Sequence, residues 1–361
     1  MNFDLSEEQE MFRASVERFA APVDVEARRK LRRNEAGYDR ARWHSLAELG
    51  LIALAASEGA GGMGGSPLDL ALVAEAIGKA NAPDPWLELG VLPALLLERG
   101  RAHGALEKVL SGESIASFAW TERAQRYNLA ARATKAEREG EGFRIGGEKT
   151  MVLGAGLADL FIVTADLDGA TRAFLVPSDA EGLEMRPYRL ADGSVAGEIR
   201  LARVAVGEAA LLDLDAAALA GIASEVRLHA SAEIVGLAQR LLDETLRYVK
   251  EREQFGVPIG SFQALQHRLV EAYAKLEQSR SMLYRAAMGA RDGHGWQRAI
   301  AGAKAYIGEN ADAIAREAVQ MHGGMGITDE LAIGHAMKRV MVLARLFGDT
   351  DTALAEYAMA A

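Results

Sequence analysis

The sequence predicts an α+β chain with an N-terminal helical domain (residues 1–113), a middle β domain of sandwich or barrel type (114–212) and a C-terminal bundle of four-helix type (213–361). Three observations predict it. Apolar residues recur at three- and four-residue spacing to about residue 112, the period falls to two between about 114 and 210, and helical spacing returns after 213. A length of 361 residues, half of them hydrophobic, is enough for two or three domains around a large shared core.

The first region reads as helix because Leu5, Met11, Phe12, Val16 and Phe19 share one helical face. Ser6, with Gln9 three residues on, has the pattern of a capping box and marks a helix start. Pro83 and Pro85 break a later helical run, which LELGVLPALLLERG resumes. The stretch SEGAGGMGGS (57–66) lacks a Walker lysine and follows no clear strand, so it reads as a connector rather than a phosphate cradle. In the middle, SIASFAW, GFRIGGEKTMV, LFIVTAD, RAFLVP and EIRLARVAV are short, rich in Val, Ile and Phe, and separated by Gly and Asp turns. No helices alternate with them and no G-x-G-x-x-G occurs, which argues against a parallel dinucleotide-binding sheet. Beyond 213, the stretches 218–251, 263–292 and 296–322 exceed the usual helix length and predict an antiparallel bundle.

Composition narrows the function classes. Net charge is -10 and no basic patch dominates, so nucleic acid is not expected as a partner. The run Arg28, Arg29, Lys30, Arg32 and Arg33 reads as a solvated helix end balanced by Asp24 and Glu26. No stretch approaches the roughly 18 apolar residues of a membrane span. MNFDLSEEQEMF lacks the basic-then-apolar order of a signal peptide. Cysteine is absent, which removes disulfides, thiolate nucleophiles and cysteine-held metals, and a cytoplasmic protein is expected.

Three groups of residues point to chemistry. EREQFGVPIGSFQALQHR (251–268) places Arg252, Phe255 and Gly256 just before Gln263. A guanidinium grips a pyrophosphate bidentately and an aromatic ring packs on adenine; alone, Phe255 equally suits a core anchor at a helix turn. AVQMHGGMGITDE (318–330) contains Gln320, Gly323 and Gly324, where glycine permits close backbone approach or simply caps a helix. His322 in this segment has no metal-ligand spacing around it and reads as a turn histidine. The third group is FAWTE (118–122) with GEKTMVLGAG (147–156) in the β region. With the order of the three regions, these segments resemble the acyl-CoA dehydrogenase family, flavin-dependent oxidoreductases, over essentially the whole chain.

The resemblance implies FAD as cofactor, between β domain and bundle, with a second subunit completing the site. On it, Arg252, Phe255 and Gln263 grip the cofactor, and Gln320, Gly323 and Gly324 approach its ADP portion from a neighbouring chain. Trp120, Thr121, Met151 and Leu153 fall beside the isoalloxazine ring. The chain departs from the family pattern here: Arg123 replaces a proline, Met151 a tryptophan and Leu153 a threonine. A threonine hydroxyl hydrogen-bonds the flavin near N5, which leucine cannot do, whereas apolar Met151 still offers a packing surface.

Dehydrogenating an acyl thioester requires a base for the α proton, hydrogen bonds to the carbonyl and a hydride acceptor for the β carbon. The resemblance places the base in one of two positions. Near the C-terminus, RLFGDTDT (345–352) puts Phe347 or Gly348 where relatives carry Glu. In the first long bundle helix, Val226 falls on the other base position, directly before Arg227, a candidate substrate contact. Glu225 is one residue off, about 100° round a helix. Glu233, two turns beyond Val226 on the same face, and Asp349 remain as candidate catalytic residues. Their alternatives are a paired carboxylate within the bundle and an N-cap for the last helix.

Three readings follow. The chain oxidises an acyl-CoA in its own site. Alternatively it is the smaller, non-catalytic subunit of a heterotetrameric acyl-CoA dehydrogenase, in which a longer homologous chain supplies the base. The third reading is a same-fold flavoenzyme of nitroalkane oxidase or monooxygenase type. The resemblance further implies a homodimer or tetramer, or such a heterotetramer, and electron-transfer flavoprotein as electron acceptor.

Overall fold

A computed structural model of the chain describes residues 5–20, 25–34, 37–289 and 294–359. Asp24, expected to balance the basic run, lies outside the described residues, as does the Arg32 side chain. Helices α1 (Glu7–Phe19), α2 (Val25–Arg33), α3 (Arg40–Glu48), α4 (Pro67–Ala80), α5 (Leu92–Arg99) and α6 (His103–Leu110) come first. Strands follow: β1 (Ala116–Ala119), β2 (Lys135–Glu139), β3 (Gly142–Leu153), β4 (Leu160–Leu167), β5 (Ala170–Pro177), β6 (Leu183–Arg189) and β7 (Val195–Gly207). The last region holds α7 (Ala216–Glu251), the hairpin β8 (Glu253–Gln254) and β9 (Val257–Pro258), α8 (Gln263–Ala287), α9 (His294–His322), α10 (Ala332–Leu343) and α11 (Thr350–Met359). Helical N- and C-terminal regions around a β region are therefore the observed order, and the capping box at Ser6 and Gln9 is present.

The chain divides into two compact units: Met1–Arg29, Pro67–Pro83 and Arg227–Ala361 form one, Lys30–Ser66 and Asp84–Val226 the other. In the helical unit, α4 and α7 touch backbone to backbone. A Cβ on Gly78 would lie 2.0 Å from the Glu233 carbonyl, and one on Gly236 2.0 Å from that of Glu75. Only glycine allows this approach. Arg28 is buried and donates to Asn81 at 3.1 Å, correcting the expectation that the whole basic run is solvated; Arg29 does pair with Glu26 at the surface.

The β unit holds one mixed seven-stranded sheet in the order β1-β4-β2-β3-β7-β6, with β5 pairing β4. Strands β2 and β6 escaped the sequence reading because KAERE and LEMRPYR present mostly exposed, charged side chains. Phe143 on β3 meets Phe174 on β5 edge to face at 5.1 Å, in a core shared with Phe161, Val163, Ile199 and Leu201. The segment Trp86–Val91, after the two prolines, is a buried π-helical turn anchored by Trp86 Nε1 donating to the Leu51 carbonyl at 2.8 Å.

Candidate active site

Within the helical unit, α7 ends at the β8–β9 hairpin, whose two-residue loop is Phe255-Gly256 with φ of +55° and +78°. Positive φ at both positions is the type I′ pattern that Asn-Gly normally fills. A bulky aromatic is disfavoured there by roughly 1–2 kcal/mol, and Phe255 is also 92% exposed, in edge contact with Phe262. The core-anchor reading of Phe255 is therefore wrong: the ring stands in solvent on a positive-φ backbone. Arg252 and Gln263 are exposed, and among the described residues neither side chain makes an intramolecular hydrogen bond or ion pair. Gln320, Gly323 and Gly324 are exposed too, with open space where a Cβ would stand on either glycine and φ +61° at Gly323. A free guanidinium, two free amides and an approachable glycine backbone suit the pyrophosphate and ribose of a dinucleotide. His322 is not a turn residue: it closes α9, buried, with Nδ1 donating to the Ala318 carbonyl at 2.7 Å and its ring stacking on Tyr248.

Within the β unit, a second set converges. Trp120 and Thr121 are half-buried, and the Thr121 carbonyl accepts the Thr150 amide at 2.8 Å. Met151 sits at an irregularity of the β3–β7 pairing with φ +53° and is 48% exposed; its amide donates to the Tyr188 hydroxyl at 3.1 Å. Leu153 is half-buried, its carbonyl accepting from Ser117 Oγ at 2.7 Å. An apolar side chain held in a strained backbone beside a threonine fits the face of a flat ring. The Lys149–Glu122 ion pair beneath this platform escaped the sequence reading. Its signal was a lysine in step with inward-facing Phe143 and Ile145 on β3.

The positions examined for a base hold no free carboxylate. Val226 is fully buried, and Glu225 is buried and pairs with Arg99. Glu233 is buried and accepts from Arg339 Nε at 2.7 Å. Asp349 Oδ1 accepts the Thr352 amide at 3.0 Å and its hydroxyl at 2.7 Å, capping α11. Phe347 is buried with φ +55°, and its carbonyl takes a hydrogen bond from Arg227 Nε at 2.8 Å. Arg227 also forms a bidentate pair with Glu356, so its donors are already committed. Beside them Lys304 is fully buried and donates to the Leu343 carbonyl at 2.6 Å; burial and the nearby Arg227 lower it to about 7, against the pull of Asp349. Neither Glu356 nor Lys304 stood out in the sequence, being an ordinary-looking acid and base on amphipathic helices.

Three family profiles match the chain: the acyl-CoA dehydrogenase N-terminal domain over residues 6–100, the middle domain over 117–204 and the C-terminal domain over 216–361. The chain is 33% identical over 349 residues to the acyl-CoA dehydrogenase IpdE2 of Mycolicibacterium smegmatis, covering 95% of this chain and 96% of that one. Among solved structures it is similar to the ChsE4-ChsE5 complex from Mycobacterium tuberculosis (TM-score 0.89, 27% identity, 99% and 98% of the two chains). It is also similar to PigA with FAD and proline (TM-score 0.91, 26% identity, 99% and 98%).

Proposed function

This chain belongs to the acyl-CoA dehydrogenase family, and from that premise we propose that it is an FAD-dependent oxidoreductase that dehydrogenates an acyl-CoA thioester between its α and β carbons, together with a longer homologous chain that supplies the base. The observation that carries the partnership is the state of the carboxylates. Glu225, Glu233 and Asp349 are engaged by Arg99, Arg339 and the start of α11, and apolar Val226 and Phe347 occupy the expected positions. That the ChsE4-ChsE5 neighbour was solved as a complex of two chains supports the same reading.

Bound FAD supplies the hydride acceptor. Arg252 and Gln263, with Phe255 against adenine, hold the ADP portion, and Gln320 with the Gly323-Gly324 backbone serves the same portion in a partner subunit. Thr121, Trp120, Met151 and Leu153 face the ring. Arg227 acts on the substrate side by holding the Phe347–Gly348 backbone through its bond to the Phe347 carbonyl. The solution form is an oligomer, electron-transfer flavoprotein takes the electrons, and the cytoplasm is the proposed location; no helix among the described residues is long and apolar enough to cross a membrane.

The test is anaerobic bleaching of the bound flavin by a panel of acyl-CoA thioesters, with and without the longer homologue. Bleaching only with both chains is the expected result. A homo-oligomer that bleaches at ordinary enzyme rates, on the order of 10 per second, refutes the need for a partner. Purified protein that takes up no FAD refutes the dehydrogenase reading itself.

A further inference from the structure

Lys149 and Glu122 form a dry ion pair in the β unit, their side chains 0% and 3% exposed and Nζ 2.9 Å from Oε1. The Glu122 carboxylate also accepts the amides of Ala133 (2.8 Å), Thr134 (3.0 Å) and Arg132 (3.1 Å) and Gln125 Nε2 at 2.7 Å. Lys149 donates further to Thr164 Oγ1 at 3.0 Å and the Trp120 carbonyl at 3.3 Å. Burial opposes charge on both. It pulls Lys149 down to about 8 despite Glu122, while on Glu122 the amides of Ala133 and Thr134 and the Lys149 ammonium outweigh it and hold the carboxyl at about 2. Both groups are therefore charged at neutral pH.

A buried pair of this kind is poor evidence of stabilisation, because two well-packed apolar side chains of similar volume do as well or better. Its position is more informative. Glu122 directly follows Trp120-Thr121 and Lys149 directly precedes Thr150-Met151. The two short segments are joined at three points: the ion pair, Lys149 to the Trp120 carbonyl, and the Thr150 amide to the Thr121 carbonyl at 2.8 Å. An apolar pair supplies packing but neither of the two side-chain ties, leaving the Thr150–Thr121 backbone bond to hold the segments alone.

We propose that the Lys149–Glu122 pair is a positioning device that fixes the Thr121–Met151 platform in register for the flavin ring. The assignment of a ring to that platform rests on the function proposed above. Neither residue touches the ring; both act through the backbone they hold.

The experiment compares Lys149→Met, Glu122→Gln, their double variant and Thr164→Val. It reads melting temperature, FAD dissociation constant, visible spectrum of bound flavin and hydrogen exchange at the Thr150 amide. Each single change at the pair is expected to lower the melting temperature. The double variant should recover most of it, yet bind FAD at least tenfold more weakly, shift the flavin spectrum and exchange Thr150 at least tenfold faster. Thr164→Val, which keeps the charges and all three ties and removes only a hydrogen bond to a residue outside the two segments, should preserve the melting temperature, FAD binding and Thr150 exchange. A folded double variant with wild-type Thr150 exchange and an FAD constant within twofold overturns the proposal. If the double variant does not fold, wild-type FAD binding and Thr150 exchange in a folded single variant, Lys149→Met or Glu122→Gln, overturn it instead. Wild-type protein that takes up no FAD overturns the dehydrogenase reading, and Thr150 exchange then decides the positioning role by itself.

Discussion

Replacing Lys304 by methionine tests how this fold handles a charge with no carboxylate bonded to it. The side chain is fully buried, donates to the Leu343 carbonyl at the end of α10, and has Arg227 nearby. Burial first, and Arg227 second, lower it from 10.5 to about 7, a gap of about 3.5 pH units worth roughly 5 kcal/mol at about 1.4 kcal/mol per unit. The sign follows from proton binding. Below pH 7 both folded and unfolded chains carry the proton and the full penalty is present. Between about 7 and 10.5 the unfolded chain still holds a proton that the folded chain has released, so stability rises with pH. Lys304→Met removes this contribution while keeping most of the volume, at the loss of one hydrogen bond worth about 1 kcal/mol. Urea unfolding at pH 6, 7, 8 and 9 should show the variant more stable than wild type at pH 6 by a few kcal/mol. The advantage should shrink by about 1.4 kcal/mol per unit above pH 7. Parallel pH curves for the two proteins would refute the reasoning.

Breaking the buried Glu233–Arg339 pair by Glu233→Ala should cost about 3–5 kcal/mol, because it takes a carboxylate away from a buried guanidinium; a variant that melts like wild type but loses turnover would instead make Glu233 the base. Arg252→Ala should change stability by no more than about 0.5 kcal/mol, since the side chain is exposed, yet leave the purified protein depleted of FAD; unchanged flavin content by absorbance would contradict the assignment. Gly236→Ala forces a Cβ to within 2.0 Å of the Glu75 carbonyl, so α4 and α7 must separate and the thermal midpoint should fall by several degrees. Val226→Glu puts a carboxylate in a fully buried position beside an arginine already paired with Glu356. It should restore some flavin bleaching only with a clear loss of stability; bleaching gained at no stability cost would show the site more open than the packing indicates.

Hydrophobic periodicity made the order of helices, strands and helices legible, because the switch between a period of about 3.6 and one of 2 is a local property. Motif residues were legible for a similar reason. Arg252, Phe255 and Gln263 lie within a dozen positions, as do Gln320 and Gly324, so their spacing survives without knowledge of the packing. The same local view misjudged Arg28 and His322, whose burial depends on which remote segment arrives beside them, and left Phe255 open between a cofactor contact and a core anchor until its exposure was known. Asp349 as a helix cap is a local outcome, settled three residues away, whereas Glu233 as a paired acid waits on Arg339, 106 residues along the chain; both alternatives hold.

By itself, then, the sequence determined the fold class, the family and the lack of a carboxylate at Val226 and Phe347, all of which depend on residue identity and spacing along the chain. Only the tertiary structure decided what each remaining charge does. Lys149 finds Glu122 27 residues away and Arg227 finds Glu356 129 residues away, while Lys304 donates to a helix-end carbonyl with Arg227 and Asp349 nearby. A charged side chain looks alike in sequence whether solvated or buried, and its energetics are set by the dielectric and the partners that folding brings to it.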